Sequence, residues 1–219
     1  MIGAINTVFK RKDVQGKVKL IGTNTDTIGV REAFLLNFPN IVDRSKGKPA
    51  LVVGGGGACR SALYALWKWM GVSKIYMVNR LDEETLAIKG AFDSAAGFDG
   101  ELLRVTSVAQ AENLEAPVLI VGTVPDVEPK EPGEILARHI TMCFLEKKEK
   151  GVVLEMCYHP APKTTFYELA TGLGWDVLLG RESMVHQGIA QQVLWREEDI
   201  SKESVKEAEN IVRAALERH

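Results

Sequence analysis

Four apolar residues, Ala50 to Val53, run without a break into Gly54-Gly55-Gly56-Gly57, and helix-spaced apolar residues (Ala62, Leu63, Leu66, Trp67, Met70) follow at once. A buried strand, a tight turn and a helix N-terminus satisfy that order, which is the first half of a dinucleotide-binding βαβ unit. Gly54 would make the turn, and Gly56 would let the backbone approach a pyrophosphate, whose charge the start of a helix favours. An ordinary strand-to-helix turn has the same local pattern, so context must separate the two. A second apolar run, Lys74-Ile75-Tyr76-Met77-Val78, begins where the next parallel strand should and ends in Asn79-Arg80. Cys59 stands at the third glycine position of the usual pattern and is small enough for close helix–strand packing.

From Pro49 onward, strand and helix patterns alternate, which implies a parallel sheet covered on both faces. The patterns predict strands near 50–54, 74–79, 101–105, 117–122, 151–156 and 175–179, and helices near 58–70, 82–95, 107–112, 132–147, 164–172 and 182–195. A last helix is expected over 201–218, with its apolar stripe on one side (Val205, Ala208, Ile211, Val212). Ahead of this region, residues 1–9 read as a strand, the charged stretch Lys10 to Lys19 as a hairpin loop, and Leu20-Ile21-Gly22 as extended chain. The strand at 2–9 would carry an unpaired edge, which predicts self-association into a homo-oligomer. Asp26 or Thr27 is expected to N-cap a helix running to about Leu36, and Asn40 to Pro49 reads as a linker.

Charge excludes some classes of function. A formal net charge of −2, with 26% charged residues, gives no basic face for nucleic acid and no membrane-surface pattern. Three cysteines without metal-ligand spacing suit a reducing compartment, and no apolar stretch approaches the roughly 18 residues of a membrane span. A soluble protein of the nucleus or cytoplasm, with no metal, is expected.

Asn79-Arg80 holds the place where an NAD site offers an acid to the ribose and an NADP site offers a cation to the 2′-phosphate. Arg80 can pair a phosphate through two charged hydrogen bonds, so NADP is favoured over NAD. Asp82, Glu83 and Glu84 follow, and would compete for the guanidinium or repel the phosphate, leaving a loop that binds no nucleotide as a further reading. Asp26, among Asn24, Thr25 and Thr27, suits either a polyhydroxy ligand or a helix cap. His159 beside Pro160 reads first as a loop residue; His139 and His186 read as helix residues, and His219 is terminal.

Gly3-Ala4-Ile5-Asn6-Thr7, Asn24-Thr25-Asp26-x-x-Gly29, Gly54-x-Gly56-Gly57-Ala58-x-Arg60, Val78-Asn79-Arg80, Tyr158-x-Pro160 and Met184-Val185-x-Gln187-Gly188 resemble, in content and order, segments of the shikimate dehydrogenase family. The resemblance implies a Rossmann-like, doubly wound, mostly parallel sheet with helices on both faces, preceded by a remnant of a substrate domain. Residues 1–30 would be the end of that domain and a hinge, 31–48 a connecting helix and linker, 49–195 the NADP-binding-type domain, and 196–219 a C-terminal helix. It implies that Asn6, Tyr158 and Gln187 contact a shikimate- or quinate-pathway metabolite. Asp26 would be the acidic half of a catalytic pair, and Gly54, Gly56, Gly57, Ala58, Asn79, Arg80 and Thr123 would bind the nucleotide.

The departures carry expectations of their own. The family's catalytic lysine lies upstream of Gly-Ala-x-Asn-Thr, and this chain starts too late to contain it, so Asp26 lacks its proton-transfer partner and the chain is expected not to turn over. Thr123-Val124-Pro125 stands in place of an Ala-Thr-Ser type loop, and Trp195-Arg196-Glu197 in place of Trp-Thr-Gly. Asn24 to Arg31 and Val153 to Pro160 are similar to the fungal quinate-repressor branch, and next to the shikimate dehydrogenase part of the fungal pentafunctional polypeptide. That branch implies a non-catalytic regulator acting on a transcription activator protein; the alternative is an NADP-dependent shikimate dehydrogenase module.

Overall fold

The computed structural model describes residues 2–216. An antiparallel pair, β1 (Thr7–Lys12) and β2 (Val18–Thr23), leads into α1 (Asp26–Asn37) and α2 (Ile41–Ser45). There follow β3 (Pro49–Val53), α3 (Gly57–Trp69), β4 (Lys74–Val78), α4 (Asp82–Asp93), β5 (Glu101–Arg104) and α5 (Val108–Asn113). The chain continues through β6 (Leu119–Gly122), α6 (Pro132–Leu145), β7 (Val152–Glu155), α7 (Thr165–Gly172) and β8 (Asp176–Leu179) into α8 (Gly180–Arg196) and α9 (Lys202–Leu216). Strands β3 to β8 form one parallel sheet in the order β5-β4-β3-β6-β7-β8.

Near-continuous apolar strands are what a sheet buried on both faces requires. Ala50 and Val52 turn to one face, where they join Phe34, Leu63, Leu66 and Ile88, and Leu51 turns to the other, with Ile140, Phe144 and Ala170. On that second face Tyr76 stacks on Phe144 with ring centroids 5.3 Å apart. The chain reverses its direction of travel across the sheet between β3 and β6, and in such sheets the crevice beyond the strand ends at that point is where ligands bind.

The first fifty residues depart from expectation in three places. β1 runs from Thr7 to Lys12, so the charged residues 10–12 belong to the strand. The turn is short because Asp13 closes it, its Oδ1 accepting the backbone N–H groups of Gln15 and Lys17, each at 3.0 Å. The cap of α1 is Thr25, and Asp26 is the first helical residue; its own N–H goes to the Asn24 side chain at 3.0 Å, leaving the Asp26 carboxylate free for other work. The expected linker contains α2, because Ile41 has an apolar site to fill and Ser45 places its hydroxyl 2.5 Å from the Met70 carbonyl oxygen. At the other end, Glu217 and Arg218 of the last expected helix, and His219, lie outside the described residues.

Helices α1 and α8 cross at very short range. A Cβ on Gly29 would stand 2.4 Å from the Ser183 carbonyl oxygen and 2.6 Å from its hydroxyl, so only hydrogen fits there. Gly29→Ala is expected to cost about 1–3 kcal/mol of unfolding free energy through overpacking. Gly90→Ala, where a Cβ meets open space on α4, should leave stability unchanged or raise it by up to about 1 kcal/mol; urea unfolding of both variants checks the contrast.

Candidate active site

The glycine loop sits at the reversal point. Gly54 has φ +127°, a conformation L side chains rarely adopt, and a Cβ there would lie 2.2 Å from the Thr123 hydroxyl. Thr123 is pinned across the crevice to β3, its hydroxyl donating to the Val53 carbonyl at 2.7 Å and its N–H to the same oxygen at 2.9 Å. Gly56 is the N-cap of α3 and brings no side chain to the exposed N–H groups of the first turn. A Cβ on Gly56 would meet nothing within 4 Å, so the space in front of the helix start is open. A backbone cradle of this kind fits a pyrophosphate. A cleft of about 350 Å³ extends from it past the ends of β4 and β6.

At the end of β4 the side chains already have partners. Asn79 donates from Nδ2 to Glu84 Oε2 at 2.5 Å and to the Leu81 carbonyl at 3.0 Å. Arg80 donates from one terminal nitrogen to Glu134 Oε1 at 2.7 Å. Its partner is therefore a carboxylate of α6; within the acidic run after it, Asp82 pairs with Arg104 at 2.8 Å and Glu84 with Asn79.

A third feature of the cleft wall is Glu155, buried at the end of β7 and 1% exposed. Its Oε1 accepts the Cys157 N–H at 3.0 Å, and the Cys157 thiol donates to the Val124 carbonyl at 3.0 Å, so this corner joins the loops after β6 and β7. Burial pushes the Glu155 carboxyl up to about 7, and burial with the nearby carboxylate pushes the Cys157 thiol up to about 12. The thiol is inert at neutral pH.

Residues separated by most of the chain meet at the α1–α8 crossing. Asn6 Nδ2 donates to Asp26 Oδ1 at 2.8 Å and lies 3.3 Å from Gln187 Oε1. Gln187 Oε1 also receives Thr25 Oγ1 at 3.1 Å and Gln191 Nε2 at 3.0 Å, and Gln191 reaches Thr7 Oγ1 at 3.1 Å. Partial burial raises the Asp26 carboxyl above its ordinary value, with the Asn6 amide opposing. Asp26 Oδ2 and Gln187 Nε2 have no partner among the described residues, which leaves one acceptor and one donor facing outward, a pair suited to a hydroxylated ligand.

The stretch 2–6 ties this group to the glycine loop. The Ile2 carbonyl lies 3.5 Å from Arg60, a Cβ on Gly57 would stand 3.5 Å from Ala4, and Asn24 Nδ2 donates to the Ala4 carbonyl at 3.1 Å. Asn6 is two residues further on, at most about 7 Å of chain.

Comparison with known proteins follows the same lines. The chain is 45% identical over 207 residues to a quinate dehydrogenase of Emericella nidulans, a match covering 92% of this chain and 63% of that protein. Shikimate 5-dehydrogenase of Thermus thermophilus, solved in complex with NADP(H) and shikimate, aligns with a TM-score of 0.65 at 27% identity, over 96% of this chain and 69% of that one. The chain belongs to the shikimate/quinate dehydrogenase family. The fold alone is shared with quinate dehydrogenase from Corynebacterium glutamicum in complex with NAD, with a TM-score of 0.71 at 22% identity over 98% of this chain and 69% of that one. Of these two solved dehydrogenases, one holds NADP(H) and the other NAD. No protein-family model matches the chain.

Of the residues singled out in the sequence, Gly54, Gly56, Gly57, Ala58, Asn79, Arg80 and Thr123 line or adjoin one crevice, and Asn6, Asp26 and Gln187 form one hydrogen-bonded group. Tyr158 is not joined to that group; its ring packs against His159 with centroids 5.1 Å apart. His139 and His186 lie on α6 and α8. Sequence reasoning misses Glu134 and Glu155. Glu134 has a readable signal, Glu131-Pro132-x-Glu134, a capping box that both ends complete in the structure. Glu155 reads as a polar residue closing an apolar strand, and only the fold reveals that it is buried.

A carboxyl raised from 4.5 to about 7 by burial contributes its stability below the unfolded value and loses it as pH rises through 7. Glu155→Gln should therefore match the parent below pH 4.5. Above pH 7 it should be more stable, by up to roughly 3 kcal/mol; thermal unfolding across that range checks it.

Proposed function

We propose that this chain is a dehydrogenase module that brings a nicotinamide dinucleotide and a hydroxylated ring acid of the quinate or shikimate class together in one cleft. The carrying observation is the stretch 2–6, which touches the glycine cradle at Ala4 and supplies Asn6 to the Asp26–Gln187 group. The family membership and the 45% identity to a quinate dehydrogenase support the same reading. The chain spans 63% of the length of that relative, and the whole protein's activity and substrate belong to this proposal.

The glycine loop and the first turn of α3 would hold the pyrophosphate, with Thr123 keeping the crevice open beside it. The nicotinamide ring, when bound, supplies the hydride acceptor. Asn6 and Gln187 would orient the ligand's hydroxyl groups, and Asp26 would accept a hydrogen bond from the reacting hydroxyl as its proton leaves; among the described residues Asp26 itself is hydrogen-bonded through its side chain to Asn6 alone. Tyr158 would join the ligand only through a movement of its loop. Of the acids that follow Arg80 in sequence, Asp82 pairs with Arg104 rather than with Arg80.

Calorimetric titration tests the proposal. NAD or NADP should bind, and quinate or shikimate should bind the nucleotide complex. Gln187→Ala and Asn6→Ala are each expected to weaken the acid about tenfold. Nucleotide affinity should not move. Equal affinity for the acid in both variants and the parent would defeat the assignment.

A further inference from the structure

We propose that two carboxylates in the cleft select NAD over NADP, Glu134 by holding Arg80 and Glu84 by offering an acceptor to the ribose. The inference rests on reading the cleft as a nicotinamide dinucleotide site.

Arg80 is the cation at the end of β4 on which 2′-phosphate recognition depends. Its terminal nitrogen is 2.7 Å from Glu134 Oε1. Glu134 is not a swinging surface acid: its Oε2 accepts the backbone N–H groups of Lys130 at 3.0 Å and Glu131 at 3.2 Å, at the start of α6. Those donors, with Arg80, hold its carboxyl down to about 2, so its charge persists at any working pH. A 2′-phosphate reaching for Arg80 would have to sit beside a fixed negative charge, which is the arrangement interfaces use to exclude a wrong partner.

Glu84 supplies what NAD needs. In dinucleotide folds an acid after the second strand accepts a ribose hydroxyl, and here that strand ends in Asn79. Glu84 brings a carboxylate to the same place from the first turn of α4. Its Oε2 receives Asn79 Nδ2 at 2.5 Å, and a Cβ on Gly55 would lie 2.4 Å from that oxygen, so the carboxylate leans over the glycine turn. Its Oε1 has no partner among the described residues and is free to accept.

The charge of the cleft favours the same choice. Arg80 and Arg138 line it together with Glu84, Asp126 and Glu134, besides the buried Glu155. Arg138 forms no ion pair among the described residues, which leaves it for the pyrophosphate that both nucleotides share. The additional dianion of NADP would enter a cleft already short of free cations.

Calorimetry with NAD⁺ and NADP⁺ on the parent, Glu134→Gln and Glu84→Gln tests this. The parent should bind NAD⁺ at least about tenfold more tightly. Glu134→Gln keeps one oxygen for the helix cap and should tighten NADP⁺ about tenfold while NAD⁺ stays within about twofold. Glu84→Gln should weaken NAD⁺ about fivefold and leave NADP⁺ less affected. Competition by ADP-ribose and its 2′-phosphate on the parent reads the same preference without any variant. Equal or tighter NADP⁺ binding by the parent overturns the inference, as does an unchanged ratio in Glu134→Gln, while both leave the nucleotide site intact. Binding of neither nucleotide overturns the site reading, and the inference with it.

Discussion

The missing side chain at Gly29 is what the rest of the site depends on. Because hydrogen alone separates α1 from the Ser183 carbonyl, the two helices approach closely enough for Thr25, the cap of α1, to hydrogen-bond Gln187 on α8. Asp26 and Gln187 are 161 positions apart in sequence, and each bonds the same Asn6 amide. Neither helix has a strong reason of its own to place these groups. The contact supplies it, and the geometry of the group is therefore set by backbone proximity rather than by the polar side chains themselves.

A second dependence runs across the sheet. The crevice exists because the chain turns outward in opposite directions from β3 and β6, and Thr123 fixes its width by bonding twice to the last carbonyl of β3. Gly54, at positive φ, has no side chain to collide with that hydroxyl. Loop and threonine form one unit.

Much of this is readable from residues alone. The apolar run into glycine, and its repetition at β4 and β6, specify a buried parallel sheet because little else buries such runs on both faces. Segment order points to Asn6, Asp26 and Gln187 without any contact being visible. Pairing is what the residues do not disclose. Arg80 looks like an open cation in sequence because Glu134 is 54 positions away, and proximity in the chain suggests Asp82 to Glu84 as its partners instead. Capping chemistry at Asp26 misleads for a related reason: the Asn24 side chain takes the N–H of Asp26 itself, and the helix begins one residue earlier, with Thr25 as its cap. The charged residues at 10–12 read as loop, and so shorten the expected strand, whereas α8 gives that strand a surface to lie on.

That hairpin is an outrigger. Trp195 donates to the Val8 carbonyl at 3.1 Å, Arg11 donates to the Leu194 carbonyl at 2.7 Å, and Arg11 also meets Glu197 at 3.2 Å, all at the far end of α8. Val8, Val18 and Leu20 of the same hairpin are exposed to solvent. The hairpin is thus moored to the C-terminal end of α8, the helix that also carries Gln187.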